Sequence, residues 1–292
     1  MVFTEINQGF GNQLFQYAAA RALSVRLSTA LKLDTTWFEY VGQRAYQLNF
    51  LNIAATPANR FEQKVLDILK RERRGAKAMK MLRRLHFPGA VAYLVDRERG
   101  FAPALLSVRG NVFLKGYWQS ERYFQAIAPI LREEFTFKAA PDAANQAMLR
   151  QIDSCESIVL HVRRGDYVTT THAQGVYGVC PPDYYASGIE HLRQRLKDPH
   201  AFIFSDDPGW VADHLKLAIP STLVTHNTGK QDHEDLRLMS RGKHFIIANS
   251  SFSWWGAWLG AHPGKQIIAP RQWFQDSPIS TEDLVPPTWT RM

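Results

Sequence analysis

The aliphatic run Ile158-Val159-Leu160 passes without a break into His161-Val162-Arg163-Arg164-Gly165-Asp166-Tyr167. A short apolar run that ends in charge and glycine predicts a strand buried on both faces, as in parallel sheets covered by helices. Such a strand delivers Arg163 and Arg164 to its C-terminal end, the edge at which open α/β sheets hold ligands. Paired guanidiniums there suit phosphate oxygens, which they grip through forked, charge-assisted hydrogen bonds. Taken alone, the same spacing is also satisfied by an Arg163–Asp166 ion pair closing the turn at Gly165, so the rest of the chain has to decide.

Downstream the pattern alternates regularly. Residues 183–196 have helical spacing, 201–205 read as a strand, 210–217 as a helix, 222–225 as a strand and 232–240 as a helix. Then come a strand over 244–249, a helix over 251–260 and a strand over 266–269. That order predicts a doubly wound parallel sheet. Two further strands end in polar residues, Ser205-Asp206-Asp207 and Asn249-Ser250-Ser251. Parallel strands bring these ends to the edge that carries Arg163. The resulting set supplies guanidiniums, hydroxyls and helix-terminal amides for a diphosphate, and carboxylates for a base or ribose. Asp206 and Asp207 fit a helix N-cap pair as well as a binding role, and in principle a divalent cation site, while Ser250 and Ser251 also fit as caps only.

The N-terminal half opens as a βαβ unit. Val2 to Ile6 alternates as a strand, Gly9-Phe10-Gly11-Asn12 interrupts it, and Leu14, Phe15, Ala18, Ala19, Ala22 and Leu23 mark one side of a helix. Asn12 is placed to cap that helix, and Ala30 to Asp34 forms the second strand. Residues 46–106 are less regular. Val112 to Leu114 reads as a strand, and residues 123–135 as a helix. Between them Tyr117 and Trp118 offer either a sugar-stacking platform or core, with core favoured for Tyr117. Ala139-Ala140-Pro141-Asp142 reads as a linker, and the domain division is set at residues 1–153 and 154–292.

With 292 residues, 45% of them hydrophobic, the chain can bury two cores. Its two cysteines, Cys155 and Cys180, lack zinc spacing. No leader pattern and no apolar run long enough to span a bilayer is present, so a cytoplasmic protein, peripheral at most, is expected. A net charge of +8 admits anionic partners. Much of the excess lies in residues 64–84, either a basic amphipathic helix for acidic membrane or RNA or, more commonly, a solvated helix face.

The motifs Gly9-Phe10-Gly11-Asn12-Gln13-Leu14-Phe15-Gln16-Tyr17-Ala18, His161 to Tyr167, Phe204-Ser205-Asp206-Asp207 and Ala248-Asn249-Ser250-Ser251-Phe252-Ser253-Trp254-Trp255-Gly256 together resemble the α-1,2-fucosyltransferases of glycosyltransferase family 11, soluble bacterial type. The resemblance implies an α/β fold of GT-B architecture, two Rossmann-like domains facing across a cleft. It also implies inverting transfer of fucose from GDP-fucose to the 2-hydroxyl of a terminal galactoside in an oligosaccharide or lipid-linked glycan, without a metal or other cofactor. Carried over by motif position, Arg163 contacts the diphosphate with Arg164 close by. His161 and Asp207 help recognise guanosine, Ser250 and Ser251 hold phosphate at the helix start, and Asp206, Asn249 and Phe252 count among the donor-binding residues. Gly11, Asn12 and Gln13 line the acceptor side. The general base stays open among Asp166, Glu5 and Asp34. The alternatives are another GDP-sugar or acceptor hydroxyl on the same fold, or a basic nucleic-acid-binding protein. A transferase is expected to have no nucleic-acid partner.

Overall fold

The computed structural model describes residues 1–41, 44–72, 91–96, 100–170, 176–229, 231–275 and 281–292. The chain divides into two compact units, Met1–Lys138 and Ala139–Met292.

Unit 1 is built on a five-stranded sheet in the order β3-β2-β1-β5-β4, every pair parallel. Its elements are β1 (Val2–Glu5), α1 (Phe10–Arg26), β2 (Leu31–Asp34), α2 (Trp37–Val41), β3 (Thr56–Pro57), α3 (Arg60–Glu72), β4 (Val91–Val95), β5 (Asn111–Lys115) and α4 (Ala128–Glu134). The opening βαβ unit is as expected, but its helix starts earlier. Gly9 is the N-cap and Asn12 already lies inside the first turn, so Asn12 does not cap it. The expected helix over 123–135 begins as two 3-10 turns and becomes α-helical only at Ala128. Trp118 is buried and meets Tyr123 edge-on at 5.7 Å, whereas Tyr117 is half-buried, which rules out Trp118 as a stacking platform. Of the basic segment, only the part in α3 is described. Val65 and Leu66 there pack on Phe3, Val91 and Phe113, while residues 73–84 lie outside the described residues.

Unit 2 comprises α5 (Ala143–Ser154), β6 (Glu156–Val162), α6 (Gly165–Thr169), α7 (Pro182–Arg193), β7 (Pro199–Ser205), α8 (Pro208–His214), β8 (Ser221–Leu223), α9 (Asp232–Met239), β9 (His244–Ile246), α10 (Ser251–Leu259), β10 (Ile267–Ala269) and β11 (Thr290–Arg291). The expected boundary moves: α5, assigned to the first domain by sequence, belongs to unit 2, where Asp142 caps it by accepting from the Asn145 amide at 2.8 Å. The six strands run parallel in the order β11-β10-β9-β6-β7-β8. From β6 the chain winds outward through β7 and β8, then returns to β9 on the other side of β6. This reversal makes the β6/β9 junction the switch point of the sheet, where the crossovers diverge and leave a crevice.

The period of two along β6 sorts its side chains between two layers. Ile158, Leu160 and Val162 join Tyr184, Tyr185, Ile189 and Leu192 of α7 and Val211 of α8 in one core. Val159 and His161 point to the opposite layer. An added Cβ at Gly242, just past α9, would strike Val159, and the His161 ring lies 5.8 Å from that of Phe252 in α10. Trp254 and Trp255 of α10 are fully buried, which confirms core packing for these aromatics.

Candidate active site

Chain direction alone assembles the candidate site. The peptides after β6, β7 and β9 emerge side by side at the C-terminal edge of the unit 2 sheet, β6 in the middle. Arg163 leaves β6 between two carboxylates: Nη2 is 2.5 Å from Asp166 Oδ1, and Nη1 is 2.8 Å from Asp206 Oδ2. Its guanidinium also lies over the Tyr167 ring, 5.3 Å from the centroid. Arg164 donates its backbone N–H to Asp206 Oδ1 at 2.8 Å and its Nε to Asp207 Oδ2 at 3.1 Å, while its guanidinium stacks 4.0 Å above Trp210. Asp206 thus clasps both arginines, and Asp207 additionally caps α8 through the Trp210 amide at 3.1 Å. Of the two aspartates only Asp207 takes the cap role, while Asp206 spends both oxygens on the arginines. Among the described residues no cluster of histidine, cysteine and acidic side chains is arranged to hold a metal ion.

Gly165 is where this clasp constrains the sequence. A Cβ at that position would run into the Asp206 carboxylate, so glycine permits the close approach of β6's turn to the end of β7.

Across β6 stands the start of α10. Ser250 is its N-cap, with Oγ accepting from the Phe252 amide at 3.3 Å. Ser253 Oγ donates to the Ala248 and Ser250 carbonyls. The arginine turn and the serine turn are joined by Tyr167, whose hydroxyl donates to the Asn249 carbonyl at 3.2 Å. The two phosphate-gripping groups expected from the sequence therefore come together. Asn249 is different: its side chain is buried, with Nδ2 donating to the Tyr177 and Trp273 carbonyls at 2.6 and 3.1 Å. It fixes the serine turn, and its amide is turned inward.

His161 is 5% exposed, and its Nδ1 has no hydrogen-bond partner among the described residues. Burial pulls its pKa down to about 4, with the Arg163 charge adding to the fall and Asp206 opposing it. The ring is therefore neutral at ordinary pH.

Unit 1 places its expected residues in the first turn of α1. Asn12 Oδ1 accepts from Gln119 at 2.8 Å. Gln13 is fully buried: it donates to the Gln8 and Ala45 carbonyls and accepts from the Gln47 amide, each at 2.9 Å. Gln13 thus staples the loop before α1 and leaves nothing to line a surface; Gly11 is buried beside it. The candidate bases are all ion-paired. Asp166 is held by Arg163, Glu5 lies 3.3 Å from Lys115, and the fully buried Asp34 lies 2.5 Å from Lys70.

Sequence reasoning passed over one polar cluster at this edge. Asn227 Nδ2 donates to Asn145 Oδ1 and Asp235 Oδ1, and His226 Nε2 meets the same Asn145 oxygen at 3.0 Å. Burial raises the Asp235 pKa to about 6; the Asn227 hydrogen bond opposes the rise, and the Asp232 and Glu234 charges add to it.

The sequence profile of glycosyl transferase family 11 matches residues 1–292. The chain belongs to this family. It is 33% identical to an α-1,2-colitosyltransferase of Escherichia coli over 100% of its own length and 99% of the relative's. It is 30% identical to the O-antigen biosynthesis glycosyltransferase WbnK of Escherichia coli over 94% and 95%. Among solved structures, the fold is similar to that of an Arabidopsis thaliana FUT1 variant in complex with GDP, with a TM-score of 0.57 at 10% identity over 98% of this chain and 75% of that one. Two Rossmann-like units in a family 11 glycosyltransferase make the α/β, GT-B expectation correct. No helix among the described residues is long and apolar enough to cross a membrane.

Proposed function

We propose that this glycosyltransferase moves L-fucose from GDP-β-L-fucose to the 2-hydroxyl of a terminal galactoside, with inversion and without a metal ion. The observation that carries the reading is the meeting of Arg163 and Arg164 with the Ser250 turn at the switch point of the sheet. In the transfer, the acceptor oxygen attacks C1 of the sugar as the bond from C1 to the β-phosphate oxygen breaks. That electron pair leaves with GDP, and the hydroxyl proton passes to a carboxylate base or to water. Arg163 and the first amides of α10 take up the charge growing on the phosphate, and one preorganised donor of this kind contributes roughly 3–4 kcal/mol. Arg164, His161 and the Asp206–Asp207 pair bind and orient the nucleotide, and Asn249 acts by positioning the serine turn.

None of the three base candidates is free, because Asp166, Glu5 and Asp34 are each paired with a cation. Departure of the leaving group therefore leads the reaction, and Asp166 is the base candidate nearest to Arg163.

A second reading of the donor follows from the colitosyltransferase relative. Colitose is fucose without its 3-hydroxyl, so the two donors differ by one polar group on an otherwise common 6-deoxy-L-galactose frame. Purified enzyme incubated with GDP-fucose or GDP-colitose, lactose and EDTA, with the product linkage fixed by NMR, tests both. Fucose in α-1,2 linkage to galactose is the expected product. Exclusive use of GDP-colitose replaces the donor, and no transfer from either overturns the reading.

A further inference from the structure

Unit 2 contains a cavity of about 980 Å³ whose lining includes, of the residues assigned above to the donor, only Asn249. It is formed by the loop before α7, the first turns of α7, the segment after β10 and the chain's last two residues, so it opens at the ends of β10 and the edge strand β11. Its volume is at the upper end of the range for small-molecule sites, roughly 300–1,000 Å³.

The lining is mixed. Tyr177 and Pro270 give apolar surface, while Asp183, Ser187, Arg271 and Gln272 give polar groups. These last four are exposed, and Arg271 has no ion-pair partner among the described residues. The second arginine of the wall, Arg291, spends Nη2 on the Thr281, Glu282 and Val285 carbonyls, so one carboxylate and one uncommitted cation do not make a polyanion site, and the apolar share is too interrupted for a lipid tail. Planar amide, carboxylate and guanidinium groups do suit pairs of neighbouring hydroxyls, with prolines for the C–H faces of sugar rings, while the Tyr177 ring is stacked on Tyr167. Asn249 forms part of the wall, and its amide joins the carbonyls of Tyr177 and Trp273 to the residue that precedes the Ser250 cap. The cavity thus lies one residue away from the turn assigned to the departing phosphate.

We infer that this cavity is a glycan subsite of unit 2, which takes the sugar residues behind the terminal galactose of an oligosaccharide acceptor. The inference rests on the reading of the protein as a galactoside-modifying transferase, and it adds where the acceptor's chain length is sensed.

Direct binding tests it. Titration calorimetry with lactose, with the galactose-terminated tetrasaccharide lacto-N-neotetraose and with GDP is applied to the wild type, Ser187→Trp, which fills the cavity from an exposed helical position, and Gln272→Ala. The wild type binds the tetrasaccharide more tightly than lactose. Both variants lose about tenfold in tetrasaccharide affinity, the size expected for one polar contact, while lactose and GDP affinities stay unchanged and show that the fold is intact. Equal affinity of the wild type for the two sugars, or unchanged tetrasaccharide binding in both variants, overturns the subsite. A protein that transfers neither GDP-fucose nor GDP-colitose yet shows the variant-sensitive tetrasaccharide binding keeps the subsite and loses the proposed reaction.

Discussion

Arg163 Nη1 and Asp206 Oδ2 lie 2.8 Å apart, linking the ends of two adjacent strands. The other oxygen of the same carboxylate accepts the Arg164 amide at 2.8 Å. The guanidinium fork is therefore already oriented before any phosphate arrives, with Asp166 on its second arm. A lysine keeps the charge but cannot span two carboxylates and a phosphate from one plane. Arg163→Lys and Arg163→Ala are both expected to lower kcat by about 10²–10³, with circular dichroism unchanged. Near-normal turnover of a folded Arg163→Lys enzyme would remove Arg163 from the proposed mechanism.

The same clasp predicts an unusual cost at Gly165. A methyl group there collides with the Asp206 carboxylate, and overpacking of this kind costs about 1–3 kcal/mol. Gly165→Ala should therefore lower the melting temperature and weaken GDP binding together. In Gly165→Ala/Asp206→Ala the obstacle is gone, so the double variant should be less destabilised than the sum of the two singles. Strict additivity in denaturant titrations would show that the two groups do not meet.

What the sequence disclosed depended on how local each signal was. The apolar run of β6 with its arginines, and the serine that caps α10, are written in consecutive residues, and both were legible. Asn249 was misjudged as a ligand-facing group because its partners, the carbonyls of Tyr177 and Trp273, come from 72 residues upstream and 24 downstream. Gln13 is the same case, with bonds reaching to Ala45 and Gln47. Asn12 has the chemistry of a cap, but Gly9 already supplies the extended backbone that starts the helix three residues earlier. Strand β4 was lost because Val91–Val95 presents only one buried residue, so no alternation stood out against its irregular surroundings.

The aspartate pair bears on cation dependence. Asp206 and Asp207 spend their oxygens on Arg163, Arg164 and the α8 cap, and a divalent ion would have to displace these bonds. Turnover is accordingly expected to persist in EDTA and to change less than about twofold on adding Mg²⁺ or Mn²⁺, where a required metal would impose a loss of several kcal/mol in transition-state stabilisation. Abolition of activity by the chelator, restored by one of these ions, would contradict the metal-free proposal.

Buried His161 and half-buried Asp235 set opposing pH dependences of stability. His161 is held at about 4 against an ordinary 6.5, chiefly by burial, so the unfolded chain takes up a proton that the fold refuses. Its contribution is present above pH 6.5 and is lost as the pH falls towards 4. Asp235 is raised to about 6 from 3.8, again chiefly by burial, so the fold holds a proton that the unfolded chain has released. That group weakens the fold as the pH rises from about 4 to 6, the reverse sign over much of the same window. Asp235→Asn keeps an oxygen for the Asn227 amide and removes the buried charge. It should raise stability at pH 7.5 by about 1–2 kcal/mol once partial exposure is allowed for, and the gain should vanish as the pH approaches 4. His161→Leu should flatten the acid limb between 6.5 and 4, whatever its effect on the absolute melting temperature. Parallel melting curves for wild type and Asp235→Asn across that range would mean that Asp235 titrates alike in the folded and unfolded chains.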